Sequence, residues 1–306
     1  MRYTIYKMRF LSGVHFGKGR IDNGDITCMA DTLFSAMCIE ALKMGGEKRL
    51  NDLVTVFRDG KALISDTFPY IGDTYYLPKP CIRVEKNDTD RNAKKQFKKM
   101  SYIPLEELST YIKGNIQPEG INEELTSLNT REIRTRVSIE GEESTPYNIE
   151  VVKYGENNGI YMILGYEEDD IKNEVEDILI SLSYTGIGGK TSSGLGKFEL
   201  VNKKVPESLN EMLEVDADAY MTLSVSLPSD EELEEAVADG RYVLIKRSGF
   251  VNSSTYSDTY SRKKDIYMMK AGSCFKNRYQ GDIYDVSFGG RHAVYRYGKP
   301  LMIGVR

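Results

Sequence analysis

Between Arg2 and Leu11 apolar and polar residues alternate, the period of a strand with one face in a core. The period then changes. Leu33, Phe34, Met37, Cys38, Ala41 and Leu42 fall on one helical stripe, which Asp31 is placed to cap and Gly45-Gly46 to end. A second helix is predicted from Leu50 to Phe57. Pro69, Pro78 and Pro80 punctuate the next stretch, and Arg83–Lys99, with seven bases and three acids, reads as an exposed loop. Pro104 opens a short helix through Ile112. Alternation resumes in Glu132–Ile139, with Arg134 and Arg136 on one face and Ile133, Thr135 and Val137 on the other. Glu140–Asn148 is a polar tip, Ile149–Tyr154 the returning strand, and Gly159–Tyr166 a further strand. Ile171, Val175, Ile178, Leu179 and Leu182 then mark an amphipathic helix ending at Gly186, and Lys197–Val201 reads as a strand.

A second cycle comes after it. Tyr220–Leu227 is a predicted strand, Asp230–Ala238 a helix stopped at Gly240, and Tyr242–Phe250, Asp265–Phe275, Ile283–Ser287 and Leu301–Val305 are strands. The same order of elements recurs, so the expected architecture is α+β: two tandem ferredoxin-like (RRM-like) domains, residues 1–206 and 215–306, joined near Glu207–Asp218.

The segment between the amphipathic helix and its following strand is the richest in candidate chemistry: YTGIGGKTSSGLGKFEL, residues 184–200. A P-loop needs G-x-x-x-x-G-K-[ST] after a strand and before a helix. Here Gly189-Lys190-Thr191 supplies the end of the motif, but Tyr184 stands where its first glycine belongs, and the order of helix and strand is reversed. The G-x-G-x-x-G pattern also fails, at Thr191. What remains is an amide-rich concavity with Lys190 and the hydroxyls of Thr191, Ser192 and Ser193, suited to phosphate. A plain structural turn is the competing reading.

Composition narrows the classes. Apolar residues make up 40% and charged residues 28%, the profile of a soluble globule, and no apolar run reaches the ~20 residues of a membrane helix. Four cysteines without CxxC spacing point to free buried thiols in a reducing cytoplasm, and two histidines do not supply the usual zinc ligands. No cofactor or metal is expected. Net charge is −5, yet Arg241–Arg306 holds thirteen Lys/Arg against four acids, whereas Val205–Gly240 has eleven acids and no base. A basic face for a polyanion and simple pairing between these segments both fit that asymmetry.

These residues together resemble the RAMP superfamily of CRISPR proteins. The glycine loop, GVHFGKG (13–19) and ADTLFSAM (30–37) are similar to its shared pattern. KRSGFV (246–251), KKDIYMMKAGSCF (263–275) and RHAVYRYGKPLMIGV (291–305) resemble the fourth Csm subunit group of type III-A effector complexes. The resemblance implies a non-catalytic, cytoplasmic RNA-binding subunit that holds the 5′ repeat-derived tag of the crRNA. It would bridge the large polymerase/cyclase subunit to the backbone RAMP subunit, with no membrane partner. Residues 132–166 would be the thumb that kinks the guide, its Ile139–Tyr147 tip reaching over the strand. Implied RNA contacts are Gly188, Gly189, Lys190, Thr191, Ser192 and Ser193, with Arg134 and Arg136 along the path and His15 and Lys18 at its border. Arg247 with Phe250 would form a platform for a base, with core packing the competing role for Phe250, and Arg291 and His292 add C-terminal basic contacts. An alternative within the superfamily is a metal-independent endoribonuclease processing pre-crRNA, with His15 as general acid/base. A target-cleaving backbone subunit would draw on Asp31, Asp22 or Asp25, and a general RNA-binding module stands as a third.

Overall fold

Arg2–Phe10 forms a strand that buries Thr4 to Met8 without a break, because both faces of its sheet are covered. Tyr6 and Met8 enter one apolar cluster with the helices Ala30–Arg58 and Asp169–Thr185. Ile5 enters another, with Leu209, Met221, Leu223 and Ile303 from the C-terminal part of the chain. The computed structural model describes residues 1–84, 91–140, 143–253 and 255–305.

The main sheet is antiparallel, in the order Phe198–Lys203, Arg2–Phe10, Asn158–Tyr166, Phe68–Ile71, Thr74–Pro78, Tyr102–Pro104, and Ala62–Ile64 also pairs with Asn158–Tyr166. Taken with the two helices, its first four positions give the 4-1-3-2 strand order of a β-α-β-β-α-β unit. The C-terminal part keeps that order. Met302–Gly304, Tyr220–Thr222 and Cys274–Phe275 form a three-stranded sheet, and Leu244–Arg247 pairs with Ile266–Met269. A bridge from Ser226 to Met269 joins the two. Its second crossover, residues 276–301, carries the ladder Ile283–Asp285 with Tyr295–Tyr297 in place of a helix.

Several elements differ from the sequence expectation. Gly46 has φ 68° and Gly45 φ −149°, so the helix kinks there and resumes at once, and the second helix runs to Arg58. Asp31 does not cap: it lies inside the first turn, and Asp66 from the far side of the fold accepts the Ala30 N–H at 2.7 Å. Arg91–Lys99 is a helix, where a loop was expected; residues 85–90 lie outside the described residues. The acidic link is a helix as well, Glu207–Glu214, because Leu209 and Leu213 bury against the sheet. The returning thumb strand starts at Glu143, so the polar tip contracts; residues 141–142 lie outside the described residues. The strands after Tyr220 are shorter than their apolar runs.

Asp66 ties the halves together. Its Oδ1 accepts the amides of Ala30 and of Val225 at 2.7 and 2.8 Å, and its own N–H donates to the Leu223 carbonyl. Burial raises its carboxyl to about 7, against the two amide hydrogen bonds. The folded chain therefore holds this proton more tightly than the unfolded chain. The resulting stability is complete below the unfolded value of about 4 and is withdrawn as pH rises through about 7, up to about 4 kcal/mol. Urea midpoints should fall for the native chain from pH 5 to 7.5, and Asp66→Asn should flatten that slope. Parallel slopes in both proteins would show that Asp66 does not titrate in this window.

Candidate nucleic-acid interface

The glycine loop is built by the end of one helix and the need to reach the edge strand. Gly186 terminates Asp169–Thr185 with φ 90°, and its N–H donates to Leu182 O. The loop is then stitched to the segment after the first strand. Gly189 N donates to His15 O at 2.8 Å, Gly196 N to Gly13 O at 2.9 Å, and Ile187 N to Gly196 O at 3.0 Å. At Gly196, φ is 79° and a Cβ would stand 2.0 Å from Ile187 O. Only glycine passes there.

Between these stitches the backbone opens outward. Lys190 has left-handed backbone (φ 62°) and precedes the short 3-10 turn Thr191–Ser193, which Gly194 closes, again left-handed. Among the described residues no hydrogen bond takes the amides of Gly188, Lys190, Thr191 or Ser192. Ser192 and Ser193 are exposed, and Gly189, Lys190 and Thr191 half-exposed. Free amides around a left-handed residue form a concave anion site.

The thumb closes one side of this site. Its strands Asn129–Glu140 and Glu143–Tyr154 pair through Arg134↔Ile149 and Arg136↔Tyr147. Ile149 and Val151 bury against Leu195 of the glycine loop, so the face bearing Arg134 and Arg136 is the one turned to the loop. The Lys190 ammonium lies 4.8 Å from the Tyr147 ring centroid. Arg136 has no hydrogen bond or ion pair among the described residues. Arg134 is held by Glu132 at 3.0 Å, and Lys153 meets the same carboxylate at 2.7 Å. The opposite thumb face exposes Ile133 and Val137, each 56%.

His15 sits beneath the loop, 5% exposed, its Nδ1 2.8 Å from the Glu150 carbonyl and its ring packed on Gly189. The Glu150 carboxylate takes the Gly24 N–H and Arg131, so residues 13–25 wrap the thumb base. Lys18 pairs there with Asp25 at 3.3 Å.

The C-terminal candidates are elsewhere. Arg247 does not make a platform with Phe250: it donates two hydrogen bonds to Asp31, at 2.9 and 2.8 Å, and one to Thr32. Arg296 binds the same carboxylate from the other side. Burial raises the Asp31 carboxyl, but the Arg247 and Arg296 guanidiniums outweigh it and hold it below its ordinary value. Phe250 is not core either; it is 59% exposed, beside Tyr260 and under Arg262. Arg291 pairs with Asp258, and His292 meets Ser253 and the edge of Tyr256. What sequence reasoning missed is the pairing of Asp31 with Arg247 and Arg296 and the Tyr147 ring beside Lys190; strand register alone would have placed Tyr147 opposite Arg136. Among the described residues no cluster of three metal-ligating side chains occurs, and no helix is long and apolar enough to cross a membrane. Cys28, Cys38 and Cys274 are buried and Cys81 half-buried, and none of them is in a disulfide.

Comparison with known proteins shows what the chain is similar to. The RAMP superfamily model matches residues 7–199, and that of the CRISPR Csm4 C-terminal domain residues 215–305. The CRISPR system Cms protein Csm4 of Mycobacterium tuberculosis is 36% identical over 307 residues, covering 100% of this chain and 98% of the relative. That of Streptococcus thermophilus is 34% identical over 311 residues, 98% of each. The fold is similar to a crystal structure of a Csm3–Csm4 subcomplex of the type III-A interference complex, with TM-score 0.69, 20% identity and 99% of each chain covered. It is also similar to a Csm1–Csm4 cassette in complex with pppApA, with TM-score 0.65, 23% identity and 100% and 98% covered.

Proposed function

The chain belongs to the Csm4 family within the RAMP superfamily, and we propose that it is the RNA-holding subunit of a type III-A (Csm) effector. In this reading it binds the 5′ repeat-derived tag of the crRNA and bridges the large polymerase/cyclase subunit, Csm1, to the Csm3 backbone, in a cytoplasmic ribonucleoprotein. The bridging role is supported by relatives of the same fold in Csm1–Csm4 and Csm3–Csm4 assemblies. The tag site is supported by one observation above all: the loop that carries the free amides of Gly188, Lys190, Thr191 and Ser192 meets, through Lys190, the Tyr147 ring of a thumb that also carries Arg136. Amides and Lys190 would take phosphates, and Tyr147 offers a ring to a base. Residues 1–206 and 215–306 are read as two ferredoxin-like units that share one core.

We assign it no catalytic step. His15, the candidate base, is buried with its Nδ1 on a carbonyl, and Asp31 is neutralised by two arginines. Incubation with repeat RNA should give no cleavage without metal; cleavage that His15→Ala abolishes would replace this reading with the processing endoribonuclease. For binding, Lys190→Ala should lower the slope of log K against log salt by about 0.7, one single-strand phosphate contact. An unchanged slope would remove Lys190 from the interface.

A further inference from the structure

The Arg91–Lys99 helix is an insertion between two strands that pair directly, Thr74–Pro78 and Tyr102–Pro104. One of its faces is fixed. Phe97 stacks on Tyr111, with centroids 5.3 Å apart and rings 6° from parallel. Asn122 donates to the Gln96 carbonyl and side chain at 2.9 and 3.0 Å, Lys79 donates to Phe97 O at 2.6 Å, and Met100 is buried.

The other face carries Lys94, Lys95, Lys98 and Lys99, all exposed. Among the described residues none of the four has a hydrogen bond or an ion pair. The helix it packs on, Pro118–Ser127, offers Glu119, Glu123 and Glu124, yet no lysine pairs with them. Lys94 and Lys98, and Lys95 and Lys99, are like charges one turn apart, which weakens an isolated helix. Lys98 and Lys99 gain from the helix C-terminus; Lys94 and Lys95 do not. A local cost kept in a chain of net charge −5 is offset when a polyanion lies along the two rows, in each of which the lysines stand about 6 Å apart along the axis. The helix packs on Pro118–Ser127, which leads directly into the thumb strand at Asn129, so one element joins the lysine-bearing helix to the thumb.

We propose that the Lys94/Lys95/Lys98/Lys99 face is a second RNA-backbone site, which holds the phosphates of the strand leaving the groove between thumb and glycine loop. The inference rests on the tag-holding reading above. It is tested with the full-length protein and two synthetic RNAs, one filling only that groove and one extended beyond the thumb. A variant with all four lysines changed to Gln should bind the short RNA normally. On the extended RNA its salt slope should fall by up to about 3, and its thermal midpoint should be equal or higher, since like charges are removed. Lys190→Ala should lower the slope on both RNAs. Loss with Lys190→Ala but none with the fourfold variant overturns the second site and leaves the first standing. No effect of either variant overturns both. Weakened docking of the large subunit without RNA, at unchanged salt slopes, assigns the lysines to an acidic protein surface and also overturns the proposal.

Discussion

Asp31→Asn should destabilise the fold by roughly 3–5 kcal/mol, among the largest single losses available outside the apolar core. The substitution removes the carboxylate but leaves the buried Arg296 and the half-buried Arg247 guanidiniums against a neutral amide. Arg296 Nε already has no hydrogen-bond partner among the described residues, and Asp31 is the one carboxylate that ion-pairs with Arg296 among them. Asp31 lies in the first half of the chain and both arginines in the second, so the pairing also fixes how the halves meet. Denaturant unfolding reads the effect. Replacing Asp31 and Arg296 together by apolar residues should cost less than the two single losses added. A normally stable Asp31→Asn protein would show that the triad carries little. If that stable protein had also lost a divalent-dependent target cleavage shown by the native chain, Asp31 would be catalytic.

Gly196→Ala is expected to be the most damaging change in the glycine loop. It combines left-handed backbone with a Cβ 2.0 Å from Ile187 O and 2.8 Å from Ile187 N, all of it main chain that cannot step aside. The Gly196–Gly13 and Ile187–Gly196 hydrogen bonds would both part. We expect a loss above about 3 kcal/mol, the backbone term alone being about 1–2, with loss of RNA binding. Gly194→Ala is the control: φ is 82° there too, but no atom lies within 4 Å of the added Cβ. It should cost about 1–2 kcal/mol and leave the loop in place. Equal effects at the two positions would show that the close approach at Gly196 is unimportant. Gly188→Val belongs with Gly196, since its Cβ would meet His15 O at 2.6 Å.

What the sequence showed of this fold came from period and glycine. The 3.6-residue stripe through Val175 and Leu182 and the stop at Gly186 are local signals, and the structure repeats them. So does the alternation that puts Arg134 and Arg136 on one thumb face. The reversed order of helix and strand around the loop excluded a P-loop on local evidence alone. What stayed hidden depends on distant partners. Asp31 stands where a cap belongs, but the cap comes from Asp66, and Asp31 answers to arginines over 200 residues away. Arg247 next to Phe250 suggested a platform because nothing nearby shows where a guanidinium goes once a buried carboxylate is within reach. The Arg91–Lys99 helix has Phe97 as its sole large apolar residue, too few for a period; tertiary contacts hold it.

The most direct test of the tag-holding account is zero-length crosslinking in the assembled ribonucleoprotein from the first nucleotides of the guide. The account predicts adducts within residues 186–196 and at Tyr147. Adducts confined to another subunit, with residues 186–196 open to solvent, would contradict it.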